Sequence, residues 1–423
     1  MSGPWSLVRG SFVLTWLILE TPNTQSLARV GVSRRPPATI GLEMTDHVPD
    51  EVSPAGRDLR AYTDELRPDH PVVRNDRGEW VLLRHDLVRR AALDDVSFSN
   101  EVSRYLQVPN GLDGALHTAF REALDPFLAP AALAPYRAEF ERIAAELVKS
   151  LPRGATVEAV GEFGAAFAVR AQSAWLGWAS DLEGRLLDWI EDNHAAARSG
   201  EAARTAQVAE EFDDIIRTVL AQRRCESTAT DVTGELLRVQ VHGRPLSDAE
   251  IVSVLRNWTG GDLGSIALCV GVLVHHLASR PELQSRLRDG VPDTELDLVI
   301  DEVLRMDDPF VSNRRVTTGA VDLGGVRLPV GARVKLHWTS ANRDESVFGD
   351  PDAFDPAGHA GDTLVYGIGR HACPGRLLAT LELRIAVRAL LAGTTSVTPD
   401  PNRPAEREVA PVGGWGRVPV LLN

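Results

Sequence analysis

The stretch YGIGRHACPGRLLA, from Tyr366 to Ala379, places a cysteine between a glycine-rich turn and a proline. Pro374 has a fixed φ and no backbone N–H, which suits the first turn of a helix, so Cys373 is predicted to stand at a helix start. A thiol there faces unpaired backbone N–H groups and the positive end of the helix dipole, and both favour the thiolate. Gly367 and Gly369 allow the preceding backbone to turn tightly and to approach a flat group closely.

The residues around Cys373 favour a metal ligand over a structural thiol. A lone cysteine beside a helix start would ordinarily be a buried free thiol. Here glycines, His371 and Pro374 stand at fixed offsets from it, and His371 and Arg370 supply donors for an anionic group nearby. A thiolate ligand for a metal cofactor is the better interpretation, and haem iron is held by cysteine in one group of enzymes.

Composition narrows the class of protein. The chain has 423 residues, of which 43% are hydrophobic and 25% charged, so it is long enough for a large core. Its net charge of -14 argues against a nucleic-acid-binding protein and is interpreted as a contribution to solubility. Cys225, Cys269 and Cys373 are far apart and odd in number, and they form no Cys-x-x-Cys pair. A reducing, cytoplasmic compartment fits this cysteine content best.

The first 43 residues differ from the rest of the chain. Residues 11–19 are apolar but too few to span a bilayer, and no clear cleavage site follows them. Residues 20–43 are rich in Thr, Arg, Pro and Ser and have no apolar period, which is typical of disorder. We therefore expect residues 1–43 to be a disordered or wrongly assigned extension without stable membrane insertion, with membrane anchoring as the alternative. Residues 44–423 are predicted to form a single domain.

The pattern of the remaining chain predicts a mainly α fold with a minor β region. Residues 78–84 alternate as a short strand before a helix from Asp86, and residues 321–328 predict a hairpin. Residues 247–250 form a capping box, and the apolar run behind it continues to about Ser279. These features predict one helix of about thirty residues, roughly 45 Å long, that crosses the whole molecule.

The segment 366–375 resembles the cysteine-ligand loop of the cytochromes P-450, F-x-x-G-x-[HR]-x-C-x-G, with Tyr where the family usually has Phe. Glu302-Val-Leu-Arg305 is similar to the E-x-x-R pair of that family. Residues 341–356 resemble its meander, from which Arg343 would be the third partner of the pair. The resemblance extends from about Met44 to the C-terminus and implies the cytochrome P-450 fold, with a long central helix over the haem.

This resemblance implies haem b (iron protoporphyrin IX) as the cofactor and Cys373 as its iron ligand. The propionate groups of haem are anionic and require Arg or His donors. The segment from His117 to Arg121 resembles the helix whose His and Arg bind a propionate, and Arg315 aligns with a further propionate arginine. The implied cofactor-binding residues are His117, Arg121, Arg315, His371, Cys373 and Gly367.

The long helix departs from the family pattern Ala/Gly-Gly-x-Asp/Glu-Thr-Thr, whose acid and alcohol deliver protons to bound oxygen. Counting back from Arg280-Pro281 places Ser265 at the alcohol position and Gly264 at the acid position. The nearest carboxylate is Asp262, three residues before Ser265 and therefore on the same helix face. Ser265 and Asp262 are the implied proton-relay residues. The alternative is that Asp262 points toward a neighbouring helix.

The resemblance implies a soluble, bacterial-type haem-thiolate monooxygenase that inserts one atom of O2 into a small, mostly apolar organic substrate. No cysteine cluster or dinucleotide fingerprint is present, so electrons are expected from separate proteins, a ferredoxin and its reductase. A basic docking face for them is predicted at Arg370, Arg376, Arg384 and Arg388. A peroxide-driven or rearranging haem-thiolate enzyme is the alternative that Gly264 favours. A non-enzymatic haem sensor or ligand-binding protein is a second alternative, which the preserved cysteine loop disfavours.

Family position also predicts where the substrate pocket lies. It is expected to include residues 100–110, the neighbourhood of His194, residues 257–258, residues 310–313 and residues 413–415. These segments mix aromatic, aliphatic and amide side chains, which indicates a mostly apolar ligand with some polar atoms.

Overall fold

The computed structural model describes residues 47–48, 58–75, 77–226, 230–409 and 412–423. The predicted extension, residues 1–43, lies outside the described residues. Helices dominate this part of the chain, and strands form a smaller region, as the sequence predicts. The α-helices are α1 (Leu59–Leu66), α2 (His85–Leu93), α3 (Gly114–Leu124), α4 (Pro130–Leu133), α5 (Arg137–Ser150), α6 (Ala166–Leu176), α7 (Glu183–Ser199), α8 (Ala202–Cys225), α9 (Val232–Leu236), α10 (Asp248–Thr259), α11 (Leu263–Ala278), α12 (Pro281–Arg288), α13 (Asp293–Met306), α14 (Trp338–Ala341), α15 (Glu345–Phe348) and α16 (Arg376–Gly393).

The strands are short. They are β1 (His47–Val48), β2 (Val72–Asn75), β3 (Trp80–Leu82), β4 (Phe98–Ser99), β5 (Thr156–Glu158), β6 (Gln240–Val241), β7 (Arg244–Pro245), β8 (Ser312–Thr317), β9 (Val321–Leu323), β10 (Val326–Leu328), β11 (Arg333–His337), β12 (Val397–Pro399), β13 (Glu406–Arg407), β14 (Trp415–Arg417) and β15 (Pro419–Leu422). The largest sheet has the order β1-β2-β3-β11-β8-β4, and a three-stranded sheet has the order β12-β15-β5.

The register of the main sheet fixes one wall of the site. Strand β11 is parallel to β3, with Val334 opposite Trp80, and antiparallel to β8, with Val334 opposite Arg315. The predicted hairpin forms as β9 and β10, with Val326 opposite Leu323. The sheet therefore delivers Arg315 on a strand that is paired on both sides, which restricts where its side chain can reach.

The centre of the helical part is α11. Nearly all of its residues are apolar and buried, as expected for a helix surrounded by protein. It packs against a π-helical segment, Ala159–Ala165, and against α6, α13 and α16. The approach to the π-helical segment is close, since a Cβ on Gly164 would lie 2.8 Å from the carbonyl oxygen of Ala267. A larger residue at Gly164 would push the two segments apart.

The predicted thirty-residue helix is present but interrupted. Its capping box forms as expected, with the Ser247 side chain accepting from the backbone of Glu250. Residues 260–262 adopt turn geometry and separate α10 from α11, so the expectation of one unbroken helix is wrong. Glycine has low helix propensity, so the two glycines at this point destabilise the helix. The Ser265 hydroxyl also donates to the carbonyl of Gly261, a contact that often bends a helix.

The run from Asp248 to Ala278 is the one segment of the described residues that is long and apolar enough to cross a membrane. Its most apolar stretch is 78% buried inside the protein. A buried central helix passes the same test of length and composition, so this run is a core element of the fold.

Candidate active site

A cavity of about 1090 Å³ lies between α11 and the loop that precedes α16. Its volume slightly exceeds the range of roughly 300–1,000 Å³ that is usual for small-molecule sites. Every cofactor-binding or proton-relay residue predicted from the sequence lines this cavity: His117, Arg121, Asp262, Ser265, Arg315, Gly367, His371 and Cys373. The tertiary structure thus brings together residues that are as far as 256 positions apart in the chain.

The cysteine loop forms the predicted glycine turns, but α16 begins at Arg376 with Gly375 as its N-cap, so Cys373 and Pro374 lie just before the helix and not in its first turn. The backbone N–H of Cys373 donates to the carbonyl of Tyr366 at 2.8 Å. Gly367 and Gly369 have positive φ angles of 67° and 78°, a region that favours glycine. A Cβ on Gly369 would lie 2.9 Å from the end of the half-exposed Leu93 side chain, which can move, so it is the positive φ that favours glycine there.

The thiol of Cys373 is exposed to the cavity although the residue lies deep within the protein. Burial raises the pKa of Cys373 to about 11, while backbone N–H groups of Gly375 and Arg376 lower it. The hydroxyl of Tyr366 lies 3.4 Å from Thr380 Oγ1. The tyrosine that replaces the usual phenylalanine therefore has its own partner on α16.

Two histidines line the cavity beside the cysteine loop. The rings of His117 and His371 lie 4.0 Å apart between centroids. His117 Nδ1 and His371 Nε2 are buried and make no hydrogen bond to the described residues, although His371 Nε2 lies 3.6 Å from Asp113 Oδ1. Burial, with repulsion from Arg121, lowers the pKa of His117 to about 4, and burial, with repulsion from His117, lowers that of His371 to about 3. Both rings are therefore neutral at pH 7, and each carries one N–H donor.

Two arginines add positive charge to the cavity wall. Arg315 is buried, and its Nη1 donates to the carbonyl of Arg314 at 2.8 Å. Burial lowers the pKa of Arg315 to about 10, with an opposing contribution from Asp113. Arg121 is paired with Asp125 at 2.6 Å and also donates to the carbonyl of Ala372. A buried guanidinium without a carboxylate partner is costly, so the Arg315 position suits a bound anion.

The polar groups of this wall fit an iron porphyrin with anionic propionates. The cavity has a thiol on one side, two neutral imidazoles with orphaned nitrogen atoms, and two guanidinium groups. Charged donors such as these bind carboxylates strongly. The donor set and the size of the cavity are thus those that the implied cofactor requires.

The two implied relay residues lie on the α11 wall but do not contact each other by a hydrogen bond. The Asp262 carboxylate accepts a short hydrogen bond from the Gln172 amide on α6. Burial raises the pKa of Asp262 to about 7, and the bond from Gln172 lowers it. The hydroxyl of Ser265 donates to the carbonyl of Gly261 instead. The carboxylate is thus directed toward a neighbouring helix while its residue still lines the cavity.

The E-x-x-R pair forms as predicted, but its third partner is not Arg343. Glu302 accepts from Arg305 at 2.7 and 3.0 Å, and from His359 Nδ1 at 2.8 Å. Arg343 donates instead to Asp64 at 2.7 Å and to an aspartate of the meander at 2.9 Å. These two carboxylates hold the Arg343 guanidinium away from Glu302. Histidine therefore occupies the position that the sequence comparison gave to arginine.

The predicted basic docking face is largely neutralised. Its four arginines all form ion pairs: Arg370 with Asp95, Arg376 with Asp301, Arg384 with Asp293 and Asp297, and Arg388 with Asp293. Pairing with carboxylates reduces the field that these arginines exert on an acidic partner. The aspartates of α13 face Arg376, Arg384 and Arg388, and Asp95 faces Arg370, a pairing that sequence spacing does not reveal.

The substrate wall agrees with the sequence prediction only in part. Residues from the 100–110, 257–258 and 310–313 segments line the cavity, whereas those near 413–415 and His194 are not among its lining residues. Two functional contacts were not predicted. Gln172 is the one buried amide in the apolar α6 sequence, which is a usable signal. His359 lies in an irregular segment and gives no sequence signal.

A sequence model of the family Cytochrome P450 matches residues 186–406, just over half of the chain. The chain is 30% identical to the Cyclomarin C epoxidase CymV of Salinispora arenicola over 355 residues, which cover 79% of this chain and 88% of the relative. It is 26% identical to the Erythromycin C-12 hydroxylase of Saccharopolyspora erythraea, over 88% of this chain and 97% of that one.

Solved structures show the same architecture. Cytochrome P450 CYP109Q5 from Chondromyces apiculatus matches with a TM-score of 0.79 and 25% identity, over 89% of this chain and 98% of that chain. A mutant of P450 EryK in complex with erythromycin B matches with a TM-score of 0.78 and 24% identity, over 86% and 96%. The cavity and fold define a haem-thiolate protein. The chain belongs to the cytochrome P450 family, and it is a haem-dependent monooxygenase of the bacterial type.

Proposed function

We propose that Cys373 is the iron ligand of a haem b, and that the donors on the same wall of the cavity hold its propionates. Those donors are His117, Arg121, Arg315 and His371. The observation that carries the proposal is the thiol open to a cavity beside buried imidazole nitrogen atoms that make no hydrogen bond to the described residues. The bound haem supplies the oxygen chemistry, with the thiolate donating electron density that favours O–O cleavage.

The chain itself contributes binding, orientation and protons. The backbone N–H groups of Gly375 and Arg376 point at the cysteine sulfur and stabilise its thiolate form. Gly367 adds no side-chain atoms to the cavity, and its positive φ of 67° is the conformation that favours glycine there. Asp262 stays close to half protonated near neutral pH, because its pKa is about 7. It can therefore hold a proton at its carboxylate, which is bonded to Gln172 of α6.

The ligand assignment is tested with the three cysteines. Reduced Cys373→Ala protein with carbon monoxide is expected to lose the absorption band that names the family. Cys225→Ala and Cys269→Ala are matched controls, one at the surface and one on α11, and both are expected to keep the band. Loss of the band in either control, or its retention in Cys373→Ala, contradicts the assignment.

We propose further that Asp262 and Ser265 take part in proton delivery. General acid–base groups contribute about 10²–10⁴-fold, so loss of one should leave slow turnover. Ser265→Ala is expected to consume NAD(P)H while releasing peroxide instead of product. Asp262→Asn is expected to slow oxygen consumption with an unchanged haem spectrum. Unchanged product per NAD(P)H in both variants contradicts the relay and favours a peroxide-driven or rearranging enzyme, which turnover with hydrogen peroxide alone would reveal.

The proposed electron donors are a ferredoxin and its reductase, and the proposed location is the cytoplasm. The proposed substrate is mostly apolar with a few polar atoms. Trp258, Phe310 and Ile266 line the cavity together with the amides of Asn257 and Asn313, which supports such a ligand. The relatives are named for an epoxidation and for a hydroxylation, so both reaction types are candidates here. A screen of ligands for shifts of the Soret band identifies compounds that bind.

A further inference from the structure

The sheet side of the cavity contains an amide whose orientation is fixed by a tryptophan. The indole Nε1–H of Trp338 donates to Oδ1 of Asn313 at 2.5 Å. An indole N–H can only donate, so the atom that it meets is the amide oxygen, and the oxygen and nitrogen of the Asn313 side chain are thereby distinguished. The amide nitrogen, Nδ2, consequently points away from Trp338.

Nδ2 of Asn313 is a hydrogen-bond donor without an acceptor in the protein. Among the described residues nothing accepts a hydrogen bond from Nδ2, and the surrounding protein does not enclose this nitrogen. Asn313 lines the cavity together with Trp338. A primary amide has two N–H donors, so this side chain can bind an acceptor group of a molecule that occupies the cavity.

A second donor lies on the same face of the same strand. Side chains alternate along a strand, so Asn313 and Arg315 of β8 point to one face, with their Cα atoms about 7 Å apart. Arg315 Nη1 donates to the carbonyl of Arg314, and no carboxylate of the described residues forms an ion pair with Arg315. An amide donor beside a guanidinium without a carboxylate partner suits an anion with two acceptor oxygens, which is a carboxylate.

Trp338 also connects this amide to the cysteine loop. A Cβ on Gly367 would lie 3.9 Å from the indole ring of Trp338, an ordinary van der Waals contact. Asn313 is therefore one hydrogen bond away from a ring that touches the loop carrying Cys373. A position beside Arg315 and this loop favours a carboxylate of the cofactor over a polar group of the substrate.

We propose that Asn313 Nδ2 is a further haem-binding donor, which holds the same propionate as Arg315, and that Trp338 positions it. The proposal rests on the proposed function, because it requires haem b in the cavity. It assigns Asn313 to the cofactor, although the residue shares the cavity with the substrate wall. Asn313 is thus a binding residue, whereas Trp338 acts through it and is a positioning residue.

The first test replaces the donor by an acceptor of the same shape. Asn313→Asp keeps an oxygen for Trp338 and places an anionic oxygen where Nδ2 was. Transfer of haem from the ferric holoprotein to apomyoglobin should become about 10-fold faster or more, because a hydrogen bond to a charged group is lost. The carbon monoxide band should be retained, which separates failure of this proposal from failure of the Cys373 assignment.

Asn110→Asp is the matched control, since it makes the same change of charge at another residue that lines the cavity. Its rate of haem transfer should equal that of the parent protein. An unchanged rate in Asn313→Asp, or an equal increase in both variants, overturns the proposal.

The second test separates loss of the donor from charge repulsion. Asn313→Leu has a similar shape and no charge, and it should also transfer haem faster than the parent protein. The propionate bending band of the resonance Raman spectrum should shift in both Asn313 variants and not in Asn110→Asp, because that band reports hydrogen bonds to the propionates. Faster transfer in Asn313→Asp alone, or an unshifted band in both Asn313 variants, contradicts the proposed hydrogen bond.

The third test concerns the tryptophan. Trp338→Phe keeps an aromatic ring against Gly367 and removes only the N–H that orients the amide. It should accelerate haem transfer less than Asn313→Asp does, and it should add nothing in a protein that already carries Asn313→Leu. An increase that persists in the double variant overturns the positioning role.

A carboxylate of the substrate is the competing acceptor, and dodecanoate serves as its probe. The Kd of dodecanoate, measured by the shift of the Soret band, should be the same in Asn313→Asp and in the parent protein, and the absence of binding to both agrees equally with the proposal. Weaker dodecanoate binding in Asn313→Asp, with an unchanged rate of haem transfer, would assign the amide to the substrate and overturn the proposal.

Discussion

On the cysteine side of the cavity, Glu302 is bound by Arg305, His359 and the backbone N–H of Asp355, and no oxygen of its carboxylate lacks a partner. On the α11 side, the helix is interrupted at residues 260–262, and a carboxylate with a raised pKa lines the cavity. The first arrangement ties α13 to the meander through Glu302 and Arg305. The second leaves a buried carboxylate with one amide donor, on a residue that lines the cavity.

The two sides differ because their buried carboxylates accept different numbers of hydrogen bonds. Glu302 has a lowered pKa because burial, which raises it, is outweighed by its hydrogen bonds from Arg305, Asp355 and His359. Asp262 has one amide donor, and burial dominates its pKa. Buried charge that is fully hydrogen-bonded rigidifies a structure, whereas partly bonded charge remains responsive to its surroundings. The two sides therefore differ in how completely their carboxylates are hydrogen-bonded.

The largest loss of stability is expected when the charge of Glu302 is removed from the cysteine side. Glu302→Gln leaves the buried Arg305 guanidinium without its carboxylate. Breaking a buried pair in this way costs about 3–5 kcal/mol of unfolding free energy, and haem incorporation should fall sharply. Thermal denaturation and haem content per protein measure both effects.

Glu295 provides the matched control on the same helix. It pairs with Arg286 at the surface, where an ion pair is worth about 0–1 kcal/mol. Glu295→Gln should therefore leave stability and haem content almost unchanged. Equal losses of stability and haem content in the two variants would mean that the buried Glu302 network does not stabilise the cysteine side.

A smaller effect is expected on the α11 side, and it depends on pH. The folded-state pKa of Asp262, about 7, lies above its unfolded value of 3.8. Its contribution to stability is complete below pH 3.8 and is lost as pH rises to about 7. The free energy of unfolding of Asp262→Asn, relative to that of the parent protein, should therefore increase between pH 5 and pH 8. The increase should be at most a few kcal/mol. Chemical denaturation at both pH values measures the difference, and a constant difference contradicts the raised pKa.

The third partner of Glu302 provides a sharper test within the cysteine side. His359→Ala removes one hydrogen bond to a carboxylate but leaves Arg305 in place. A hydrogen bond to a charged group contributes about 1.5–3 kcal/mol, so the loss should be smaller than that of Glu302→Gln. His359→Asn keeps a hydrogen-bond donor and should therefore lose less stability than His359→Ala. Double-mutant cycles with Glu302→Gln should show coupling for His359→Ala and none for Arg343→Gln, and the reverse result would return the third position to the arginine.

The smallest effect is expected from the N-terminus. We propose that residues 44–423 are one domain, and deletion of residues 1–43 should then leave haem content and solubility unchanged. Comparison of the truncated and full-length proteins by carbon monoxide spectrum and sedimentation measures this directly. Loss of haem in the truncated protein would place part of the extension within the fold.

Local sequence determined the elements whose conformation depends on near neighbours. The glycines, Pro374 and the spacing around Cys373 predict the turn and helix start, because φ preferences and the i to i−4 bonding of a helix act over a few residues. The same holds for the capping box at Ser247, for the hairpin of β9 and β10, and for α16. Helical content and the placement of Cys373 were therefore predictable.

Tertiary structure alone decided which distant side chains meet. His359 instead of Arg343 reaches Glu302, Gln172 reaches Asp262, and aspartates of α13 neutralise the arginines of α16. His194 covers Gly264 from another helix. Such partners are selected by packing between elements remote in sequence, and a side chain with several carboxylates in reach binds whichever the fold places nearest. Residue spacing carries no information about the distance between side chains on remote elements. The charged partners around the cavity could therefore be assigned only from the tertiary structure.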